Sequence, residues 1–216
     1  MWAAGQRVSC WPTGHSEAFD ATNMNEATPD NDEYFNYLKT RSRLGGLYRK
    51  YWLYPRLSKR LLGRALDVGC GIGDMLVFRK NTVGVDINPR TVQFCIQRGV
   101  QAHLMAVNEL PFEEGEFDSV LLDNVLEHIA RPQPLIAEVH RVLAPGGRLV
   151  AGVPGLKGWH SDPDHKIKYD EVSLVQTIQA LGFSHLETFN TPLWRSQRLD
   201  RSMRQYCIYA VFDRSR

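Results

Sequence analysis

The spacing of hydrophobic positions changes at residue 64 and divides the chain into two parts. Beyond it, short runs that are apolar at nearly every position alternate with longer mixed segments, the clearest beginning at Pro89 and ending at Gly99. The short runs predict strands buried on both faces and the mixed segments predict helices, so the pattern indicates a parallel sheet covered on both sides. The predicted strands are 64–69, 82–86, 100–106, 116–124, 148–154, 185–191 and 205–212, and the predicted helices are 73–80, 89–99, 132–143 and 170–182.

The first 62 residues lack this alternation. Residues 1–30 are rich in Thr, Asn, Asp, Glu and Gly without a sustained period, which predicts a mobile tail. Residues 31–62 mix aromatic, basic and leucine residues, which predicts two helical pieces that separate near Gly45-Gly46, with Pro55 opening or bending the second. We therefore expect a tail over 1–30, a helical cap over 31–62 and one α/β domain over 63–213.

Composition and charge narrow the classes of partner. The 216 residues are 43% hydrophobic with a formal net charge of +2, which supports a sizeable core but gives no electrostatic case for nucleic acid. Four cysteines without a CxxC spacing are typical of reduced thiols in a cytosolic protein. No apolar run approaches the roughly 18 residues of a membrane span. We expect a cytoplasmic protein with no nucleic-acid partner and at most peripheral membrane contact, and its oligomeric state stays open.

The stretch ALDVGCGIGDML, residues 65–76, places three alternate glycines after a predicted strand that carries Asp67. Glycine allows positive φ and close approach of a ligand to the main chain, and a following helix start offers N–H groups to a carboxylate or phosphate. The dinucleotide pattern G-x-G-x-x-G fails, because Asp74 occupies the third glycine position counted from Gly69. The phosphate-loop pattern fails as well, since no Gly-Lys-Ser/Thr follows the turn.

A second acid, Asp86, ends the next predicted strand, 19 residues after Asp67. An acid at this position can accept both ribose hydroxyls of an adenosine. A helix-capping role is the competing interpretation, because Asn88-Pro89 follows directly. The glycine turn upstream favours ribose binding.

The pattern D-x-G-x-G-x-G, from Asp67 to Gly73, resembles the first motif of class I S-adenosylmethionine-dependent methyltransferases. Three later stretches resemble the same family in order: NELPFEEGEFDSVLL, DNVLEHI and RVLAPGGRLVAGVPG. The resemblance covers about residues 64–155. It implies a Rossmann-like, doubly wound, mostly parallel seven-stranded sheet of order 3-2-1-4-5-7-6 with the last strand antiparallel, and here with an N-terminal helical extension. The subgroup implied methylates small molecules, lipids and sugars.

The resemblance also implies a site for the cofactor S-adenosyl-L-methionine. In many relatives an acid four positions before the Leu-Pro pair reaches the adenine amino group, but Ala106 stands there in this chain. We expect main chain near Val107, apolar packing from Ile87 and a substitute contact from Asn108 to hold the adenine. The full set of expected cofactor-binding residues is Asp67, Gly69, Cys70, Gly71, Gly73, Asp86, Ile87, Val107, Asn108 and Asn124.

Candidates for catalysis cluster where the predicted strand 116–124 ends. A hydroxyl acceptor needs a general base near the sulfonium, whereas an amine or thiolate needs less help. By resemblance, Asn124 borders the methionine part of the cofactor and His128 faces the acceptor, and Asp123 lies beside them. A structural role for Glu127-His128 at the start of a helix is an equal alternative.

The Leu-Glu-His stretch also raises the question of a metal. Some quinone-pathway methyltransferases of this fold bind a metal with two acids and the histidine of this stretch. In this chain Asn124 replaces the first acid, so two ligands remain. We therefore expect no metal dependence.

The segment GWHSDPDHKIKYDE, residues 158–171, is a second concentration of polar residues. Its Asp and Pro content is typical of a turn-rich loop rather than a metal cluster. Because it follows the predicted fifth strand, we interpret it as part of the acceptor pocket or as a lid. His165 is a third candidate catalytic residue, and Tyr169 is a further acceptor contact.

Two functional classes stay open at this stage. The favoured one is methyl transfer to a small-molecule, glycan or lipid-type acceptor, for example in cell-surface polysaccharide or lipid synthesis, with a quinone or polyketide O-methyltransferase as the alternative enzyme. The other is a cofactor-binding but inactive partner subunit. The basic segment 41–60 either covers the cofactor, as N-terminal helices often do in the family that the chain resembles, or forms an amphipathic surface for lipid headgroups or a phosphorylated acceptor. The basic segment 193–205 is either a solvated face or a surface for an anionic acceptor.

Overall fold

The structure is a computed structural model that describes residues 29–40 and 42–215. The predicted tail over 1–30 lies outside the described residues except for its last two. None of the described helices is long and apolar enough to cross a membrane. The α-helices are α1 Pro29–Lys39, α2 Arg43–Tyr48, α3 Tyr54–Ser58, α4 Asp74–Phe78, α5 Pro89–Gln97, α6 Gln133–Val142, α7 Leu156–Trp159, α8 Glu171–Gln179 and α9 Gln197–Ser202; a π-helical segment, Arg49–Leu53, joins α2 to α3, and Leu126–His128 is a 3₁₀ turn.

Seven strands form one sheet in the order β3-β2-β1-β4-β5-β7-β6. β1 lies parallel between β2 and β4, with Ala65 opposite Thr82 on one side and Ser119 on the other. β7 runs antiparallel to both β5 and β6. The predicted Rossmann-like fold and strand order are therefore confirmed. The strands are β1 Ala65–Val68, β2 Thr82–Asp86, β3 Ala102–Leu104, β4 Phe117–Asp123, β5 Leu143–Pro154, β6 Phe183–Thr191 and β7 Cys207–Arg214.

The two faces of the sheet carry separate hydrophobic clusters. In β4, Val120 and Leu122 belong to one cluster and Leu121 to the other, because successive side chains of a strand point to opposite faces. Helices α6 and α8 cover the first face. The second face is covered by the N-terminal helical region, whose Tyr54 and Leu57 are buried on it. The segment before β1 is therefore a layer of the core.

The N-terminal region is fastened to the far edge of the sheet by polar contacts. Arg60 makes two hydrogen bonds to Glu187 of β6, at 2.8 and 3.2 Å, and its guanidinium lies over the ring of Phe189. The indole N–H of Trp52 donates to the carbonyl of Pro192 at 2.6 Å. These contacts hold in place the helices that cover the carboxyl ends of the central strands.

Two local predictions differ from the structure. Gly45-Gly46 lies inside α2, and the break falls before it, where the Ser42 hydroxyl accepts the Gly45 N–H and caps the helix. Residues 144–147, which separate the predicted helix 132–143 from the predicted strand 148–154, belong to β5, because Leu143 already pairs with Phe117 before a register shift. The glycines in both places predicted a break in the regular structure. The start of α2 is set instead by the Ser42 cap, and the start of β5 is set by its pairing with β4.

The Leu122→Ala substitution tests the packing on the first face of the sheet. Its side chain is fully buried, so we expect Leu122→Ala to lower the free energy of unfolding by about 2–5 kcal/mol through lost burial and a residual cavity. Leu44→Ala is the control, since Leu44 is 78% exposed and should change stability by less than about 0.5 kcal/mol. Equal losses in urea unfolding of the two variants would contradict this assignment of the core.

Candidate active site

One cavity of about 540 Å³ opens beneath the N-terminal helices, at the carboxyl ends of β1, β4 and β5. Its volume lies within the usual range for small-molecule sites, about 300–1,000 Å³. The position is the one expected for a ligand in an open α/β sheet. Of the residues predicted from the sequence, it is lined by Asp67, Gly69, Cys70, Gly71, Asp123, Asn124, His128 and His165.

The glycine turn forms the cavity wall next to β1. Gly69, Gly71 and Gly73 all have positive φ, between 52° and 74°, where a side chain is strained. A Cβ added at Gly69 would lie 2.8 Å from Val125, and one at Gly71 would lie 3.1 Å from Leu38. The turn therefore leaves its main chain uncovered toward the cavity, with neighbours too close to accept side chains.

Asp86 lies behind this turn, outside the residues that line the cavity. One carboxylate oxygen accepts the Gly71 N–H at 2.8 Å and the other accepts the Asn88 N–H at 2.9 Å. The side chain is 5% exposed, and burial raises its pKa above the ordinary value. Asp86 thus holds the turn against β2, and its predicted ribose contact remains a prediction.

The other residues predicted for the adenosine end also lie outside the cavity lining. Ile87 is 59% exposed and Val107 is 75% exposed, and they follow neighbouring strands whose ends pair Asp86 with Leu104. Asn108 has a φ of 61°, an uncommon conformation for a residue with a side chain. Two apolar side chains are therefore exposed on the open surface beside Asp86. Gly73, in turn, packs against Cys95 rather than the cavity.

Acidic side chains dominate the floor of the cavity. Asp67 is 5% exposed, and burial, followed by the charges of Asp123 and Asp86, raises its pKa well above the usual range. Asp123 accepts the Tyr209 hydroxyl at 2.6 Å and the Asn124 side-chain amide at 2.9 Å. Within residues 29–40 and 42–215, no cationic side chain pairs with Asp67. This end of the cavity is suited to a positively charged group.

The opposite end of the cavity is formed by the 3₁₀ turn and the loop after α7. The His128 and His165 rings lie 4.7 Å apart, centroid to centroid. Glu127 is 1% exposed, and burial, followed by repulsion from Asp123 and Asp162, raises its pKa to about 8. The loop is held to the turn because the Lys166 and Ile167 N–H groups donate to the Glu127 carbonyl at 2.7 and 3.0 Å. The fold thus joins His165 to a motif more than thirty residues earlier.

Several residues of the cavity wall were not predicted from the sequence. Leu38 comes from α1, Arg49 from the π-helical segment, and Tyr209 and Cys207 from β7. None stands in a glycine or acid motif, and only the basic and aromatic character of residues 41–60 hinted that this segment covers the site. Tyr169, predicted as an acceptor contact, is 5% exposed and is absent from the cavity lining.

The cavity fits S-adenosyl-L-methionine on two observations. Gly69 and Gly71 line the cavity without side chains, so their main chain is open to a ligand. The buried acids suit the positive charges of a sulfonium and an ammonium. The sheet order matches a Rossmann-like methyltransferase fold. Residues 66–151 match the family described as "Methyltransferase domain". This stretch of the chain is similar to class I S-adenosylmethionine-dependent methyltransferases, which supports S-adenosyl-L-methionine as the cofactor.

Individual relatives agree with this assignment. A probable S-adenosylmethionine-dependent methyltransferase of Mycolicibacterium smegmatis is 27% identical over 157 residues, 64% of this chain and 61% of that protein. A demethylmenaquinone methyltransferase of Tropheryma whipplei is 32% identical over 127 residues, 53% of this chain and 52% of that protein. The matches thus cover between half and two thirds of these relatives.

A solved structure shares the fold over most of the chain. It is that of a Thermotoga maritima protein described as a SAM-dependent methyltransferase, "possible histamine N-methyltransferase". The TM-score is 0.66 at 18% identity, with 84% of this chain and 98% of that chain covered. At this identity the likeness shows the fold alone.

Proposed function

We propose that this protein transfers the methyl group of S-adenosyl-L-methionine to a small-molecule, glycan or lipid-type acceptor. One observation carries the proposal: a single cavity joins the glycine turn and Asp67 at one end to His128 and His165 at the other. Methyl transfer is a displacement at carbon, so it needs cofactor and acceptor aligned in one water-poor space. The cavity supplies that space.

The proposed cofactor contacts follow the charges of the cavity. The cofactor supplies a methyl group that its sulfonium already activates. Asp67 would neutralise positive charge on its methionine part, and the turn around Gly69 and Gly71 would lie against it. Ile87 and Val107 would flank the adenine on the open surface, with Asp86 near the ribose and Asn108 beside the adenine edge.

The acceptor would occupy the histidine-lined end. His128, His165 and Asp123 are the proposed groups that orient an acceptor hydroxyl or take its proton. Arg204 also lines this cavity, and Arg198 and Arg201 are exposed on or beside the short helix α9. These cations support an anionic acceptor, such as a sugar or lipid that carries phosphate.

The proposal includes the organisation of the chain and its place of action. We take residues 63–213 as the methyltransferase domain and residues 31–62 as its helical cap, because the helices of that region form one wall of the cavity. We take the cytoplasm as the compartment, because Cys70, Cys95 and Cys207 are free thiols.

A two-stage experiment tests the proposal. Calorimetry with S-adenosylmethionine and S-adenosylhomocysteine should show one site per chain. Fractions of cell extract are then incubated with the protein and S-adenosylmethionine carrying a radiolabelled methyl group, and we expect a labelled small molecule whose formation falls steeply with added salt if it is anionic. Cofactor binding without any labelled product would favour the inactive partner subunit, and no cofactor binding would refute both functions.

A quinone methyltransferase is the second candidate, favoured by the Tropheryma whipplei relative. The cavity wall next to the N-terminal helices, with Leu38, Leu53 and Tyr54, could accommodate an apolar ring. Incubation with a reduced demethylmenaquinone distinguishes the two candidates. Methylation of that compound, with none in polar extract fractions, would replace the glycan or lipid acceptor by a quinol.

A further inference from the structure

We infer that Glu127, His128 and His165 form a binding site for a divalent first-row transition-metal ion such as Zn²⁺, at the acceptor end of the cavity. The ligand atoms that these three residues offer all lie within 4.8 Å of one another. The inference goes beyond the proposed function, because metal binding is measured without cofactor or acceptor.

Glu127 is the first reason for this inference. Its side chain is 1% exposed, and neither carboxylate oxygen has a hydrogen-bond partner in any other described residue. An unpartnered carboxylate in such a place costs several kcal/mol unless it is protonated or meets a cation. The residue is also rigidly placed, because its own carbonyl accepts two N–H groups from the loop that carries His165.

His165 presents its lone pair toward that carboxylate. Its Nδ1 lies 2.7 Å from the Trp159 carbonyl oxygen, which can only accept, so Nδ1 carries the hydrogen and donates it. In the neutral ring Nε2 is then the nitrogen with the free lone pair, and it faces Glu127 Oε1 at 4.0 Å. A cation between the two would be coordinated by this lone pair and by the carboxylate oxygen. A backbone carbonyl on the distal nitrogen is also the usual outer partner of a metal-bound histidine.

His128 completes the set with the same arrangement. Its Nδ1 lies 3.2 Å from the Asp164 carboxylate, an outer partner that leaves Nε2 as the ligand nitrogen. Metal bonds of about 2.1 Å in a tetrahedron place ligand atoms about 3.4 Å apart. Since the donors here lie within 4.8 Å of one another, they must converge by up to about 1.4 Å. The His128 side chain is 32% exposed and lies on the open side of the group, so it has room to make that movement.

The donor set selects the class of metal. Two imidazole nitrogens with one carboxylate suit Zn²⁺, Co²⁺ or Fe²⁺, whereas Mg²⁺ prefers oxygen ligands in an octahedron. Three protein ligands leave a position for an oxygen of water or of the acceptor. No metal was expected from the sequence because the Leu-Glu-His stretch and the loop 158–171 were judged separately, and only the fold brings His165 to that stretch.

Direct metal titration of the untagged full chain tests the inference. After treatment with chelator and its removal, the protein is titrated with Co²⁺ and Zn²⁺ by calorimetry, and the visible absorption of bound Co²⁺ is recorded. We expect one ion per chain, Mg²⁺ binding at least about 100-fold weaker than Zn²⁺, and cobalt bands of a low-coordinate nitrogen–oxygen site. Glu127→Gln and His165→Gln should each weaken binding more than about 100-fold, beyond the 10–100-fold typical of outer partners.

His160→Gln is the matched control, since His160 is exposed in the same loop and outside the group. It should bind metal like the unmodified protein, and circular dichroism in chelator should show each variant folded. If one ligand variant does not fold, His128→Gln replaces it. No saturable one-to-one binding, unchanged affinity in the ligand variants, equal loss in His160→Gln, or a preference for Mg²⁺ would each overturn the inference. S-adenosylhomocysteine binding, measured on the same preparations, reports the proposed function separately.

Discussion

Replacing Gly69 with valine is expected to abolish measurable binding of S-adenosylmethionine and S-adenosylhomocysteine while the protein stays folded. Gly69 has a φ of +74°, and an added Cβ would lie 2.8 Å from the side chain of Val125, which directly follows Asn124 of the cavity lining. The larger residue must displace either the turn or the segment before Glu127, and both line the proposed cofactor site. Backbone strain alone costs about 1–2 kcal/mol of stability. We expect calorimetry to show a loss in cofactor affinity of more than about 100-fold, which is a larger change in free energy than that strain.

Gly99→Val is the control that separates the effect of backbone strain from the effect of the position beside the cavity. Gly99 has a φ of +75°, nearly the same conformation, but nothing lies within 4 Å of an added Cβ. This variant should lose roughly 1–2 kcal/mol of stability from the left-handed backbone and bind cofactor normally. Normal cofactor affinity in Gly69→Val, or an equal loss in Gly99→Val, would show that the glycine turn does not form the cofactor site.

Replacing Asp67 with asparagine is expected to weaken cofactor binding about 10- to 100-fold at neutral pH, the value of one charge-assisted hydrogen bond. The carboxyl is buried, and burial raises its pKa well above the usual value of 3.8. Protons therefore compete with the cationic cofactor in the unmodified protein, and its affinity should fall as the pH is lowered. The asparagine variant should lack this pH dependence, which calorimetry over the acidic to neutral range can measure.

The same substitution should stabilise the protein without cofactor. A carboxyl whose pKa is raised by folding contributes stability below its unfolded pKa, and that stability is lost as the pH rises through the folded pKa. Asp67→Asn removes the loss, so its thermal midpoint at neutral pH should exceed that of the unmodified protein. Asp170→Asn is the control, because Asp170 caps α8 on the surface and asparagine caps as well. A pH-dependent cofactor affinity that persists in Asp67→Asn would assign the dependence to another group.

Much of the fold could be predicted because its signals are local. Strands such as Thr82–Asp86 are apolar runs between turn residues, and their alternation with helices permits few topologies. The glycine turn was predictable for a similar reason, since three positive-φ positions require glycine whatever packs around them. The burial of Tyr54 and Leu57 was not, because a mixed aromatic and basic segment does not show which sheet face it covers.

The same distinction between local and long-range signals applies to the candidate site. Asp67, Gly69 and Gly71 were predicted from one contiguous motif, and the structure places them in one cavity wall. Arg49 and Tyr209 carry no motif and reach the cavity only through the packing of distant segments. Asp86 was predicted as a ribose contact, but only the structure shows that its carboxylate also fastens the turn through the Gly71 N–H.

The sequence by itself indicated the cofactor end of the site, because a strand, a glycine turn and an acid stand close together in the chain and resemble one family motif. Only the tertiary structure decided the acceptor end. There Glu127 is buried with no hydrogen-bond partner in any other described residue, and the Trp159 carbonyl orients His165 of a later loop toward it. Long-range packing brings such groups together, and hydrophobic periodicity carries no information about which distant polar side chains will meet.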